Sequence, residues 1–318
     1  MRFGFQVGER LVENERDNSS EAQEHLPVLV REAVECLSPG AGATILDGTV
    51  GFAGHASVIL ERLGSNGLLI GLDRDAEALD RARVRLDAVG HPFFLFRGLF
   101  TQVSEAIVAA GKSPDGGLDG VLLDLGVSSY QLDTASRGFS FSRDGPLDMR
   151  MGVGEGVSAA EWVATASVGE LEKVFREYGE EPAARRVALA IDLARAESPI
   201  DSTARLAEIV ESVVSRGKRK IHPATRVFQA IRIQVNGELE LLDSFLRQVD
   251  RYLVFGGRVV VLSYHSLEDR IVKNWLRSRV REGIFRTQKP ELIRPSEEEI
   301  RANPRARSAR LRWAIRGG

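Results

Sequence analysis

Cysteine is nearly absent from this chain of 318 residues, in which Cys36 is the only one. A single cysteine cannot form a disulfide within the chain, and it cannot supply the cysteine cluster of a structural zinc site. The first residues also lack the continuous apolar stretch and the small-residue cleavage site of a secretory signal. Together these absences predict a cytoplasmic protein without disulfides.

Long hydrophobic runs are missing as well. The longest apolar runs, such as residues 259–262, fall far short of the ~20 residues that a membrane-spanning helix needs, so we expect no membrane partner. Yet 43% of the residues are hydrophobic and 28% are charged. A chain of this length and composition buries at least one full core, which excludes a disordered or collagen-like protein and favours two domains.

The net charge gives no sign of a nucleic-acid partner, because 43 Lys and Arg face 45 Asp and Glu, a balance of −2. The charges are nevertheless segregated. Residues 216–232 and 301–316 each carry six basic side chains and no acid, whereas the first 24 residues are acidic. Such segregation is typical of a local polyanion-binding face, although an ordinary solvated surface gives the same pattern.

Hydrophobic periodicity divides the chain into four segments. Residues 1–24 have no sustained period and predict a flexible N-terminal extension. Residues 25–135 alternate short apolar runs with helical patterns, and strands are predicted at 44–46, 68–72, 93–96 and 121–125. This βαβ series indicates an α/β fold with a doubly wound parallel sheet, covered on both faces.

Strand signals nearly vanish over residues 136–221, where helical patterns such as the capping box Ser158–x–x–Glu161 accumulate. We interpret this segment as an inserted all-helical subdomain that recognises the substrate. Residues 222–318 then complete the core and end in the basic C-terminus. In this part we expect Gly256 and Gly257 to break the chain before a strand at 258–262, Ser266 to cap a helix, and a last strand at 309–315.

The segment 47–55, with the sequence DGTVGFAGH, directly follows the first predicted strand. Its glycines allow a sharp turn and a close approach to a ligand, and the next helix offers free N–H groups. The spacing matches neither the dinucleotide motif GxGxxG nor the phosphate loop GxxxxGK[ST]. We therefore expect a cofactor loop that does not bind pyrophosphate, although a tight structural turn would explain the glycines too.

Acids end two other strands. Asp73 follows the second strand at the place where doubly wound folds hold a ribose, and Asp124 ends the fourth strand beside the expected switch point. Asp75 is better explained as a helix cap. An acid for the ribose without a phosphate loop favours S-adenosylmethionine over NAD as the cofactor.

Further polar motifs follow in order along the chain. They are HLPVL (25–29), GVSSYQLD (126–133), RGFSF (137–141), GPLDMRM (145–151), HPATRVFQA (222–230), RIQVN (232–236), SYHSLEDR (263–270) and NPRARSARLR (303–312). Over about residues 25–315 the chain resembles the bacterial S-adenosylmethionine-dependent 16S ribosomal RNA (cytosine-N4) methyltransferases. The resemblance implies a Rossmann-like class I methyltransferase sheet and methylation of a cytidine in the decoding region. It also implies 16S rRNA, expected within the 30S subunit, as the partner, and it leaves a homodimer open.

The resemblance also implies site residues. Those for the cofactor are Ala53, Gly54, His55, Asp73, Phe100, Asp124 and Gln131, with Phe100 on the adenine and with Asp124 and Gln131 near the base or the sulfonium. On their charge, we expect Arg137, Arg150, Arg226 and Arg232, with the helical insertion and the arginine-rich C-terminus, to contact the phosphates of the RNA and orient the base. The chain departs from the family pattern at Ala53, usually glycine, at Gly237, usually an acid or amide, and at Tyr264, usually phenylalanine. If Ala53 needs a positive φ, its side chain adds about 1 kcal/mol of strain.

No metal is expected, since the five histidines show no HExxH spacing. His55 is explained by capping of the following helix as readily as by chemistry. His265 directly precedes the capping motif at Ser266–Asp269, which favours a structural role over a catalytic one. The catalytic group stays unknown, with Asp124 or a neighbouring carbonyl as the candidate acceptor for the amine. Two other functions remain open: a nicotinamide-dependent dehydrogenase, and an RNA-binding ribosome-assembly factor without turnover.

Overall fold

A computed structural model describes residues 27–215 and 222–318 of the chain. The extension predicted at residues 1–24 lies outside this part, and so do residues 216–221 at the start of the first basic run.

Seven strands of the described residues form one sheet. They are β1 Thr44–Asp47, β2 Leu68–Asp73, β3 Phe93–Arg97, β4 Leu118–Asp124, β5 Leu253–Ser263, β6 Phe285–Arg286 and β7 Arg310–Arg316. Their order is β3-β2-β1-β4-β5-β7-β6, in which β1 to β5 are parallel and β7 is antiparallel to both of its neighbours. The chain order reverses at β1, which pairs with β2 on one side and β4 on the other, and this creates a topological switch point. The predicted doubly wound α/β fold is confirmed.

Helices flank the sheet and build the segment between β4 and β5. They are α1 Val30–Leu37, α2 Gly54–Leu63, α3 Ala76–Val89, α4 Val103–Ala109, α5 Ser129–Asp133, α6 Ala159–Thr165, α7 Val168–Glu177, α8 Ala184–Glu197, α9 Thr203–Val213, α10 Ala224–Asn236, α11 Glu238–Leu246, α12 Val249–Tyr252, α13 Ser266–Arg281 and α14 Glu297–Ala302. Short 3₁₀ turns lie at Ala135–Arg137 and Pro304–Ser308.

The sheet is buried on both faces, which explains its nearly continuous apolar strands. Successive side chains of a strand point to opposite faces. Accordingly, Ile45 packs in one hydrophobic cluster with α1 and α2, whereas Leu46 packs in the other with α4 and α11. The two clusters hold the carboxyl ends of β1, β2 and β4 rigidly at one edge of the sheet.

One strand differs from its predicted form. Gly256 and Gly257 do not break the chain before a strand, because both lie inside β5. The register of β5 against β4 shifts between the pairs Leu118–Leu253 and Gly120–Arg258. Gly256 takes up the extra length with a φ of +85°, a conformation that glycine adopts without strain. Strand β6 was not predicted, since two residues give no periodicity.

The inserted segment has a hydrophobic cluster of its own, and this cluster extends beyond the predicted boundary at residue 221. Helix α10 contributes Val227, Phe228 and Ile231 to it, packing against α6, α7 and α9. Although α10 overlaps the basic run in sequence, it therefore shares its apolar face with the insertion, and the boundary at residue 221 stays a prediction.

Three helix starts were predicted from capping signals, and one is shifted. Asp75 accepts a hydrogen bond from Glu77 N, and Ser158 forms the predicted capping box with Glu161. The cap of α13, however, is His265 rather than Ser266, because the His265 ring accepts from Glu268 N while the Glu268 carboxylate accepts from the backbone at Tyr264 and His265. His55 is no cap at all; it lies in the first turn of α2, whose N-cap is Ala53.

Candidate cofactor and substrate site

A cavity of about 580 Å³ lies above the carboxyl ends of β1, β2 and β4. Its floor is the loop between β1 and α2. Helix α10, the end of β5 and the turn Pro304–Ser308 supply the remaining walls. The volume is typical of pockets for small organic ligands, and the position is where open α/β sheets bind them.

The glycines of the loop are required by close packing. A Cβ on Gly48 would come within 2.5 Å of Leu123, and one on Gly54 within 2.8 Å of Pro27. Gly51, with a φ of +50°, donates its N–H to Asp73 Oδ2 at 2.9 Å. The loop therefore keeps a tight turn and also lines the cavity, so the two sequence interpretations are compatible.

Ala53 adopts the positive φ that would strain it, +59°, and it is fully buried. It does not line the cavity, unlike its neighbours Gly54 and His55. The expected contact between Ala53 and a cofactor is therefore not supported. The methyl group points into the core beneath the loop, where it packs with the cluster of α1 and α2.

Asp73 ends β2 at the cavity floor. Its Oδ1 accepts from Asp75 N and its Oδ2 from Gly51 N, both at 2.9 Å. Burial raises the pKa of this carboxyl to about 6, although these backbone N–H groups oppose the shift. A carboxylate has about four acceptor positions, so Asp73 can also accept from ligand hydroxyls in the cavity.

Asp47 adds a third acid to this edge, beside Asp73 and Asp124. It is buried, and it accepts from Thr49 N at 3.1 Å. Burial raises its pKa to about 7, and the charges of Asp124 and Asp73 add to the shift. Three carboxylates on adjacent strands make this edge favourable for a cationic ligand and unfavourable for a phosphate.

Two hydrogen bonds hold Asp124, and the His55 ring lies on a third side. Its backbone N donates to Thr49 Oγ1 at 2.6 Å, its Oδ1 accepts from the Tyr264 hydroxyl at 2.8 Å, and its Oδ2 lies 3.5 Å from His55 Nδ1. Burial and the Asp124 charge raise the pKa of Tyr264 well above its ordinary value, so the phenol stays a donor. Sequence reasoning missed Thr49. It noted Tyr264 only as a departure from the family, and this hydroxyl at a position where phenylalanine is usual was the available signal.

His55 is buried, and its Nε2 lies 2.9 Å from the carbonyl oxygen of Val28. Since a carbonyl only accepts, Nε2 carries the proton and Nδ1 faces Asp124. The ring thus connects the start of α2 to the acid of β4, and it lines the cavity.

Phe100 and Gln131, to which the resemblance assigns cofactor contacts, also line the cavity. Phe100 packs edge-on against Phe245, with 5.8 Å between ring centroids, which leaves an aromatic surface beside the loop. The Gln131 amide is mostly committed to the protein: Oε1 accepts from Ser128 N, and Nε2 donates to Asp75 Oδ2 at 3.3 Å.

Arg137, predicted as an RNA contact, lies in the interior of the protein. It is 9% exposed and pairs with Asp75 at 2.7 Å. It also donates to the carbonyl oxygens of Arg150 and Met151. The guanidinium joins the start of the inserted segment to the N-terminus of α3, an arrangement typical of a structural role, and its contact with RNA stays a prediction.

The other three predicted RNA residues differ in their accessibility. Arg150 is paired with Asp148 at 2.6 Å. Arg226 donates to the carbonyl oxygen of Glu180, and 37% of its side chain is exposed. Arg232 lines the cavity, where two hydrogen bonds of 2.8 Å join it to Glu238. Their contacts with RNA stay predictions.

One cluster has the residue types of a metal site. The ligand atoms of Glu238, His265 and Glu268 lie within 4.8 Å of one another. Burial opposes ionisation of Glu268, but His265 and Arg232 hold its pKa below the ordinary value. Arg232 donates a hydrogen bond to each oxygen of Glu238. Because this guanidinium already balances the charge of the carboxylates, the cluster does not favour a metal.

The switch-point cavity, with an acid for a ribose and no phosphate loop, defines a Rossmann-like methyltransferase. The family profile of the MraW methylases matches residues 22–316, and the chain belongs to that family. The cofactor predicted from the sequence, S-adenosylmethionine, agrees with this membership.

Similar proteins span nearly the whole chain. A protein of Syntrophotalea carbinolica named "Ribosomal RNA small subunit methyltransferase H" is 48% identical, over 93% of this chain and 98% of its own length. A protein of the same name from Trichlorobacter lovleyi is 46% identical, over 92% and 98%. Among solved structures, a SAM-dependent methyltransferase from Aquifex aeolicus has 8% identity and a TM-score of 0.41, over 91% of this chain and 89% of that one.

None of the helices in the described ranges is long and apolar enough to cross a membrane.

Proposed function

We propose that this protein transfers a methyl group from S-adenosylmethionine to N4 of a cytidine in 16S ribosomal RNA, in the decoding region of the 30S subunit. The relatives named ribosomal RNA small subunit methyltransferase H support the class of substrate. The observation that carries the chemistry is the acidic edge made by Asp47, Asp73 and Asp124 beneath the cavity. This edge favours a cofactor that is cationic at sulfur and bears free ribose hydroxyls.

The residues present fit this cofactor. Asp73 has acceptor positions for the ribose hydroxyls, and Phe100 offers a ring for the adenine. When bound, S-adenosylmethionine supplies a methyl group on a positively charged sulfur that is already a good leaving group. The protein then needs mainly to align the attacking amine and to exclude water.

Asp124 is the proposed acceptor for the cytosine amine. The hydrogen bond from Tyr264 and the anchored backbone N fix its orientation at the cavity wall, beside the His55 ring. The exocyclic amine gains positive charge as it attacks, and a preoriented carboxylate stabilises that charge. A strong base is not required, because the N–H proton becomes acidic once the nitrogen is alkylated.

The base has to leave its stack to reach such a cavity. Arg232 and Glu238 on one wall offer a donor and an acceptor that could read the edge of an extruded pyrimidine. Arg226, on the open side of α10, is the candidate for a backbone phosphate of the RNA.

The test is methyl transfer to 30S subunits that lack the modification, with nucleosides identified by mass spectrometry. The proposal predicts N4-methylcytidine at one position with the wild type, and loss of most product with Asp124→Asn. A methylated nucleotide other than cytidine would contradict the substrate assignment.

The two alternatives have distinct outcomes. A dehydrogenase would bind NAD, which the acidic edge disfavours because pyrophosphate is anionic; titration with NAD and S-adenosylhomocysteine separates the two. An assembly factor without turnover would bind the subunit and transfer no methyl group. Cytoplasmic location and a homodimer stay predictions.

A further inference from the structure

A second, smaller pocket of about 150 Å³ adjoins the cofactor cavity. It lies where β5 passes into α13 and where β7 begins. The two cavities share four lining residues, namely Tyr264, His265, Arg307 and Ser308. A ligand that fills the large cavity therefore has a direct connection to the small one.

Three arginines line this side pocket: Arg294, Arg307 and Arg310. Arg310 donates to Asp269 at 2.7 Å, and Arg312 donates to the same carboxylate at 2.7 Å. One carboxylate thus faces two guanidinium groups. Arg294 and Arg307 are exposed, and neither forms an ion pair with a residue in the ranges 27–215 and 222–318.

The carboxylate of Glu180, which contacts the start of α13, does not cancel this charge. It accepts from the Ser266 hydroxyl at 3.0 Å, but it also pairs with Arg270 at 3.1 Å. The pocket therefore keeps an excess of positive charge from Arg294 and Arg307. By contrast, Arg305 on the nearby turn is bonded to Asp133 by two hydrogen bonds of 2.9 and 2.6 Å.

His265 forms part of the wall between the two cavities. Its side chain is 9% exposed, and it lines both cavities. Its Nδ1 accepts from Glu268 N. Its Nε2 lies 3.2 Å from Glu268 Oε1, yet it makes no properly directed hydrogen bond to any described residue. This nitrogen is shielded from solvent beside the Glu268 carboxylate, so the ring contributes to the wall of the pocket rather than a donor for a ligand.

The start of α13 adds to the pocket's preference for an anion. This helix of 16 residues begins in the pocket at Ser266. The Glu268 N–H of its first turn is already bonded to the His265 ring, but the helix dipole still favours an anion at this end. Guanidinium groups beside a helix N-terminus are suited to the oxygens of a phosphate.

We propose that the side pocket binds a phosphate of the substrate RNA, the one adjoining the nucleotide whose base enters the cofactor cavity. The proposal rests on the proposed function and specifies how that substrate is held. A base that is rotated out of its stack stays covalently joined to its own phosphates, so a base in the large cavity brings a phosphodiester to its rim. The side pocket lies beside this rim, because the two cavities share a wall that includes Arg307.

The test compares the double variant Arg294→Gln, Arg307→Gln with the wild type, as full-length chains. Affinity for 30S subunits is measured at several salt concentrations, beside calorimetric titration with S-adenosylhomocysteine. We expect RNA affinity to fall about tenfold, and the slope of log K against log salt to decrease by roughly 0.7–0.9 for each phosphate that the variant no longer neutralises. The variant should still bind S-adenosylhomocysteine, which shows that it is folded, although Arg307 also lines the cofactor cavity.

The matched control is Arg62→Gln. Arg62 is exposed in the last turn of α2, at the end of the helix away from the cavity, so we expect no change in either affinity. A variant carrying Arg294→Lys and Arg307→Lys should recover most of the salt slope, because the charge is kept.

Each other outcome has a definite meaning. Wild-type RNA affinity and salt slope in the double glutamine variant would overturn the proposal while the proposed function stands. Competition by inorganic phosphate with no effect of the variant on RNA binding would show that the pocket takes a free anion, which also overturns it. If the wild type methylates no RNA at all, the proposed function itself fails, and the subsite with it.

Discussion

The ribose contact assigned to Asp73 can be tested by removing its charge. In Asp73→Asn one oxygen remains to accept from the backbone N–H groups of Gly51 or Asp75, so the β2 turn is disturbed less than by alanine. A hydrogen bond to a charged group contributes about 1.5–3 kcal/mol. Loss of that contribution weakens cofactor binding by a factor of roughly ten to one hundred and fifty.

The assay is calorimetric titration with S-adenosylhomocysteine between about pH 5 and 7. Burial raises the pKa of Asp73 to about 6, so the carboxyl becomes protonated, and a poorer acceptor, as the pH falls through that value. Wild-type affinity should therefore decrease below pH 6, by up to about tenfold per pH unit. The decrease should be absent from Asp73→Asn.

The pH dependence has to be compared between the wild type and Asp73→Asn because the neighbouring Asp47 also titrates in this range. Its pKa is raised to about 7, so a pH effect of the wild type alone would not identify the group. Equal affinity of Asp73→Asn and the wild type at pH 7, or an unchanged pH dependence in the variant, would refute the ribose assignment.

Three further substitutions test the surroundings of the site. Arg137→Ala leaves the Asp75 carboxylate buried without its cation, so we expect the free energy of unfolding to fall by about 3–5 kcal/mol in a denaturant titration. A decrease below about 1 kcal/mol would show that the ion pair does not stabilise the fold. Tyr264→Phe removes the hydroxyl that donates to Asp124, so we expect kcat to fall roughly tenfold with cofactor affinity unchanged, and an unaltered kcat would exclude a positioning role. Ala53→Gly relieves about 1–2 kcal/mol of left-handed backbone strain in the folded state. The glycine also costs about 0.5–1 kcal/mol because the unfolded chain gains entropy, and the loss of a buried methyl group costs about 0.8 kcal/mol. The melting temperature should therefore hardly change, and a large shift of either sign would contradict this balance.

The sheet and the cofactor loop could be predicted because their signals are local. The apolar runs before Asp47, Asp73 and Asp124 are bounded by polar residues, and all three runs are strands of the parallel sheet. The carboxyl ends of parallel strands meet at one edge, so their acids come together without any further information.

The fate of the arginines could not be predicted, since it depends on contacts that are distant in sequence. Arg137 and Arg226 look alike in the sequence, but Arg137 finds Asp75 in the core, 62 residues away, whereas Arg226 stays on the surface of α10. Burial of an ion pair is a tertiary property, and charge patterning does not report it.

Local ambiguity explains the smaller errors. The N-cap of α13 was misplaced by one residue, because His265 and Ser266 can both cap a helix. In the structure the His265 ring, and not the Ser266 hydroxyl, accepts from Glu268 N. Gly256 and Gly257 suit a loop as well as a bulge, and the pairing of β5 with β4 makes them a bulge. The two exposed arginines of the side pocket, Arg294 and Arg307, lie in separate turns that only the fold brings together.

The most direct test of the central claim is a crystal structure of the full chain with S-adenosylhomocysteine. We predict adenosine in the cavity above β1, β2 and β4, with its ribose hydroxyls on Asp73 and its sulfur facing Asp124. A ligand bound elsewhere, or in this cavity with its ribose away from Asp73, would contradict that claim.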